Sequence, residues 1–226
     1  MLAESAYLPM QMELDRLHGV LEKSESLDPA DRDAVLGNWV QWRHLFAASP
    51  FTANFIMQKP ERLSILLAER EKLFDVDAFR QSLEGHLMAI EDAAQFDREL
   101  RLARNEQMAL ITCRDVLGLA SLEESLAHLS SLAEVMVELG LRWHYEKLAA
   151  RHGYPLTEDG QHMPLVVLGM GKLGAQELNF SSDIDLILAY EADGETTGPA
   201  TLNHHEFFTR LTQKMSQSLN KTTEDG

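Results

Sequence analysis

The sequence predicts a mainly α protein with a small α+β part. Residues 1–155 are expected to form a helical bundle, 156–163 a linker, and 164–226 two short strands and a helix. Three observations carry that expectation. Helix-start signals recur along the first part of the chain. One long apolar seam runs at helical spacing from Leu122 to Trp143. After His152-Gly153-Tyr154-Pro155, short apolar runs flank a glycine-rich turn.

Asp28-Pro29 pairs an N-cap with proline at the first helical position, ahead of a helix expected to reach about Ala47. Pro60 opens another helix in the same way, and Asp77 caps a third that continues towards Asp92. The segment from Phe96 to about Leu117 is basic on one side through Arg98, Arg101 and Arg104, and Gly118 suits its C-cap. Ser121 and Glu124 form a capping-box pair. Leu122, Leu126, Leu129, Ala133, Met136, Gly140 and Trp143 then follow at alternating spacings of four and three, the seam of a helix packed lengthwise in a bundle. His128, polar and beside Leu129, is expected to face solvent. Leu156 to Gln161 is polar and turn-prone. Pro164-Leu-Val-Val-Leu168 and Ile184-Asp-Leu-Ile-Leu-Ala-Tyr190 read as strands, and Leu202 to Leu219 as a helix with Phe207, Phe208, Leu211, Met215 and Leu219 on one face.

Composition excludes several classes of function. Acidic residues outnumber basic ones by 36 to 20, for a formal charge of −16, a poor match to phosphate backbones or anionic membranes. No nucleic-acid and no membrane partner is therefore expected. No apolar run approaches the roughly 20 residues of a membrane helix, and the start, MLAESAYLPMQMELDR, lacks a secretion signal. The single cysteine, Cys113, permits no internal disulfide and suits the cytoplasm; it reads as a small core residue.

The chemistry concentrates in LGMGKLGAQELNFSSDIDLILAY, Leu168 to Tyr190. Gly169, Gly171 and Gly174 satisfy G-x-G-x-x-G after a strand, and Glu191 stands where a ribose-binding acid would sit. That dinucleotide reading, which would make the protein an oxidoreductase, meets three objections. Asn179-Phe-Ser-Ser182 cuts the following helix short. A strand buried on both faces would trap Asp183 and Asp185. Too little chain follows Glu191 for the rest of such a sheet.

The other reading is a metal-dependent phosphoryl site. Asp183 and Asp185, one residue apart at a strand start, project from one face with Cα atoms about 6–7 Å apart. Carboxylates so placed can share hard divalent cations that also bind substrate phosphates, in two-metal sites about 3.5–4 Å apart. The turn from Gly169 to Lys172 adds backbone N–H groups and an ammonium, and Ser181 and Ser182 add hydroxyls. A D-x-D at a strand edge is also ordinary solvated turn chemistry; the strand and glycine turn ahead of it set this one apart.

GMGKLGAQELNFSSDIDLI resembles the signature of the glutamine synthetase adenylyltransferase/adenylyl-removing family, two-headed members of the nucleotidyltransferase superfamily. LRLARNEQMALITCRDVLGLASLEESLAHLSSLAE, FAASPFTANFIMQKPERL and HHEFFTRLTQKMSQSLNKTTEDG extend the similarity over most of the chain. The resemblance implies that residues 164–226 begin a polymerase β-like nucleotidyltransferase domain. It implies that Asp183 and Asp185 are catalytic and hold Mg2+, and that Gly169, Gly171, Lys172 and Ser182 bind phosphate or nucleotide. It further implies an enzyme that removes AMP from a tyrosine of glutamine synthetase by phosphorolysis, giving ADP. A companion half would use ATP for adenylylation, with control through the PII signal protein and glutamine. Met1, the long helical lead-in, Asn179-Phe180 and Ile184 resemble the first, adenylyl-removing copy. Ala175 departs from the family's usual second glycine. The family's third carboxylate follows the equivalent of Thr222–Gly226, so the chain alone is expected to be inactive. A helical docking module for glutamine synthetase or PII, without catalysis of its own, is the alternative.

Overall fold

The computed structural model describes the backbone of residues 2–220 and the side chains of residues 10–219. Residues 221–226, the last part of the downstream resemblance, lie outside the described residues. Helices α1 (Leu2–Lys23), α2 (Pro29–Gly37), α3 (Trp39–Ala48), α4 (Pro50–Gln58), α5 (Leu63–Glu69), α6 (Val76–Met88), α7 (Ala93–Val116) and α8 (Leu122–His152) precede strand β1 (Val166–Gly169). A four-residue helical turn, α9 (Gly171–Gly174), strand β2 (Leu186–Ala189) and helix α10 (His204–Asn220) follow. The residues group into two compact units, 2–74 with 105–125 and 75–104 with 126–220.

Local chemistry explains the helix ends of the first unit. The Asp28 carboxylate accepts from the Ala30 N–H at 2.8 Å, and Pro29 occupies the first helical position. The helix expected to reach Ala47 breaks at Asn38 (φ −120°, ψ 38°) into α2 and α3. Ser49 caps α4 through the Thr52 N–H at 3.2 Å. Pro60 opens a 3-10 turn, Pro60–Arg62, that leads into α5. Trp42, Leu45, Phe46, Ile56, Leu63 and Leu66 form the core of this unit together with Leu17 and Leu21. Buried Arg114 is satisfied by the Arg70 carbonyl at 2.6 Å, by the Lys72 carbonyl and by Glu124. At the end of α7 the Leu119 N–H bonds back to the Arg114 carbonyl at 2.8 Å, which is the Schellman closure that Gly118 signalled.

In the second unit, α6 is capped by Asp75, which accepts from the Ala78 N–H at 2.9 Å. Asp77, the expected cap, lies in the first turn and pairs with Arg80 at 2.8 Å instead. Asp92 caps α7 through the Gln95 N–H at 2.8 Å. Arg101 and Arg104, expected as a basic face, reach the end of α10. Arg104 donates to the Leu219 carbonyl at 2.8 Å, where the helix dipole favours cations.

Helix α8 is buried on more than its predicted seam. Leu129, Met136 and Trp143 are buried, and so are Leu132, Val135, Val137 and Leu139. Leu122, the first seam residue, is 65% exposed. His128 is a correction: it is 4% exposed, because a central helix packs on several sides and leaves little solvent-facing arc.

Strands β1 and β2 pair antiparallel, Val166 opposite Ala189 and Gly169 opposite Leu186. Their inner face, Leu165, Val167, Ile184 and Leu186, packs on Val137, Leu141, Phe207, Phe208 and Leu211 of α8 and α10. The turn-prone segment before β1 closes on itself through a bridge between Leu156 and His162, and Met163 is buried. Among the described residues no helix is long and apolar enough to cross a membrane.

Candidate phosphoryl-transfer site

Alternation of exposure carries the site. From Ser181 to Tyr190 residues are exposed and half-buried in strict turn, so Ser181, Asp183, Asp185 and Ile187 share the open face while Ile184, Leu186 and Leu188 face the core. Both aspartates lie just ahead of β2 rather than inside it. The Asp185 carbonyl accepts from the Met170 N–H at 2.9 Å, which extends the ladder by one bond and joins the acidic pair to the glycine turn.

That turn is tight. Gly171 has φ +53°, a left-handed conformation that glycine adopts without strain. A Cβ on Gly174 would stand 2.4 Å from the Gly169 carbonyl oxygen. Ala175 sits at φ −88° and ψ −1°, the bridge conformation common at the end of a helical turn and on the negative-φ side that side chains tolerate, so its methyl requires no left-handed backbone. Lys172 is exposed and its Nζ donates to Ser182 Oγ at 3.2 Å. Ser182 Oγ in turn donates to Asn179 Oδ1 at 2.6 Å, and Ser181 Oγ reaches the same oxygen at 3.2 Å. The structure thus ties Lys172, on the glycine turn that runs from Gly169 through Gly171, to Ser182, and joins that glycine turn to the segment ahead of β2 that carries Asp183 and Asp185. The hydroxyls expected to meet phosphate are engaged by Asn179. That role is not among the sequence expectations, although N-x-S-S is an Asx-turn pattern in which the side-chain oxygen meets the N–H two residues on. Here the Ser181 N–H lies 3.3 Å from it.

The antiparallel pairing bears on the dinucleotide alternative. A Rossmann unit needs parallel strands joined by a full crossover helix, whereas these strands run antiparallel and the helix after the glycines has four residues. Among the described residues no group of three or more His, Cys, Asp or Glu is placed to hold a metal ion. The acidic pair is a two-carboxylate face.

The architecture therefore defines a mainly helical protein in which a strand–glycine turn–strand unit displays two exposed carboxylates and, on its glycine turn, an exposed lysine. The model of the glutamate-ammonia ligase adenylyltransferase family matches residues 39–226. The chain belongs to that family. It is 40% identical over 189 residues to a bifunctional glutamine synthetase adenylyltransferase/adenylyl-removing enzyme of Idiomarina loihiensis, an alignment covering 81% of this chain and 20% of the relative. Proteins of the same description from Thioalkalivibrio sulfidiphilus and Shewanella oneidensis are 39% and 41% identical. Those alignments cover 86% and 79% of this chain, and 20% and 19% of the relatives. The chain spans about a fifth of the length of the curated relatives it matches.

Proposed function

We propose that this chain belongs to the adenylyl-removing half of a bifunctional enzyme that regulates glutamine synthetase, and that residues 164–226 are part of its nucleotidyltransferase domain. The observation that carries the reading is the common exposed face of Asp183 and Asp185, joined to the glycine turn by the bond from the Met170 N–H to the Asp185 carbonyl. Family membership supports it, as do the resemblances of Asn179-Phe180 and Ile184 to the first copy.

Inorganic phosphate is the attacking group in this reading. One of its oxygens bonds to the phosphorus of the tyrosine-linked AMP, and the bond from that phosphorus to the tyrosine oxygen breaks. The tyrosine oxygen takes up a proton, and ADP leaves. Lys172 and the backbone of Gly169 and Gly171 hold the phosphate, and Ser182 acts beside them. Asp183 and Asp185 supply the hard oxygen donors that suit Mg2+. The bound ion would neutralise charge on the phosphorus oxygens. The companion half of the polypeptide carries out ATP-dependent adenylylation. Glutamine synthetase is the substrate protein and PII a regulatory partner, all in the cytoplasm.

The test incubates adenylylated glutamine synthetase with the full-length enzyme, phosphate and magnesium, with no ATP supplied to the adenylylating half. ADP should appear in step with free tyrosine and only when phosphate is present. Release of AMP without phosphate would show hydrolysis and contradict the phosphorolytic reading.

A further inference from the structure

We infer that Asn179 and Ser182 are positioning residues for Lys172, holding its ammonium group at the glycine turn, where the attacking phosphate would bind. This rests on the proposed reading of the glycine turn as a phosphate site and adds the residues that aim the cation.

A serine hydroxyl has one hydrogen to give and two lone pairs to receive. Ser182 gives its hydrogen to Asn179 Oδ1 at 2.6 Å and receives the Lys172 ammonium at 3.2 Å. Both capacities are used within one chain of bonds from Asn179 to Ser182 to Lys172. The orientation of Asn179 is set in turn. Its side-chain oxygen also accepts from the Ser181 N–H at 3.3 Å and from Ser181 Oγ at 3.2 Å. The Ser182 N–H closes the same turn on the Asn179 carbonyl at 3.1 Å.

This turn is anchored rather than loose. Leu178, immediately before Asn179, is buried, and its N–H donates to Ser130 Oγ at 3.1 Å. Ser130 is itself buried on α8 and donates to the Leu126 carbonyl at 2.9 Å. Gln176 Nε2 donates to Glu134 Oε1 at 2.6 Å, a second tie to the same helix. The fixed surface of α8 is thus transmitted through Leu178 to Asn179, and from there to the lysine. An exposed lysine samples many rotamers, and an incoming anion must freeze one of them. Holding the ammonium beforehand lowers that cost, so its benefit falls on phosphate affinity.

The experiment measures phosphate-dependent ADP release by the full-length enzyme, with direct phosphate titration by calorimetry as a second readout. Asn179→Ala and Ser182→Ala should each raise KM for phosphate about 3- to 10-fold, with kcat within about twofold, and calorimetry should show the same weakening. Ser182→Thr keeps the hydroxyl and should restore affinity. In the Lys172→Ala background, Asn179→Ala should add nothing further, because both act through one ammonium. Should Asn179→Ala fail to fold, Ser182→Ala reads the same link. A normal phosphate KM in Lys172→Ala would contradict the phosphate reading itself. A raised KM in Lys172→Ala, with normal values in Asn179→Ala and Ser182→Ala, would overturn the positioning inference alone.

Discussion

Gly174 approaches Gly169 so closely that a Cβ on Gly174 would lie 2.4 Å from the Gly169 carbonyl oxygen and 3.2 Å from its carbon. Those are backbone atoms of β1, which cannot swing aside as a flexible side chain could. Gly174→Ala should therefore open the turn and lower stability by about 1–3 kcal/mol, measured by urea titration. Ala175→Gly, one residue on at φ −88°, should cost less than about 1 kcal/mol. Equal effects at the two positions would contradict the close packing of the turn.

Leu129 and Met136 are both buried in α8. Truncating either to alanine should cost about 2–5 kcal/mol as a cavity, read from urea midpoints and slopes. His128→Asp should be destabilising too, because a charge introduced at a buried helix position lacks solvent. A neutral Leu129→Ala would show that this part of the seam is not core.

His144 is buried, and its Nε2 lies 2.7 Å from Ser218 Oγ, which donates to Asp97 Oδ1 at 2.5 Å. Burial pushes the imidazole down to about 4, against an opposing pull from Asp97, while Lys214 adds to the lowering. The folded protein thus holds a neutral histidine that the unfolded chain protonates from about pH 6.5 downward. The unfolded state binds more protons in that window. Stability contributed by the neutral ring is therefore whole above about pH 6.5 and lost progressively as pH falls towards about 4. The melting temperature of the wild type should drop over that range, and His144→Gln should flatten the drop.

Cys113 is buried in α7, and desolvation pushes its thiol up to about 11. Thiolate is the reactive form, so at pH 8 a disulfide reagent should label Cys113 slowly in the folded protein. Labelling should become fast in denaturing urea. Rapid labelling of the native protein would contradict the burial.

What could be read from the chain alone follows physical range. Asp28-Pro29, Ser121 and Gly118 marked helix ends because capping depends on neighbours within a turn. The acidic pair was legible because a one-residue spacing on extended chain puts two side chains on one face, and the exposure pattern from Ser181 to Tyr190 repeats that alternation. The break at Asn38 was not legible, since an apolar helical pattern continues across it. Burial of His128 and the reach of Arg101 and Arg104 to the end of α10 depend on packing among distant segments. Asn179 read as a helix interruption, although its bonds to Ser181 and Ser182 are local ones of the Asx-turn kind.

The most direct measurement is ADP release from adenylylated glutamine synthetase by Asp183→Asn and Asp185→Asn in the full-length enzyme, with adenylylation and thermal melting followed in parallel. Both aspartates stand on an exposed face, so the melts should match wild type and the adenylylating reaction should persist. Removal of AMP should fall at least about 100-fold in each variant, the scale expected when a phosphoryl-transfer site loses alignment. Phosphorolysis within about twofold of wild type in both variants would contradict the account.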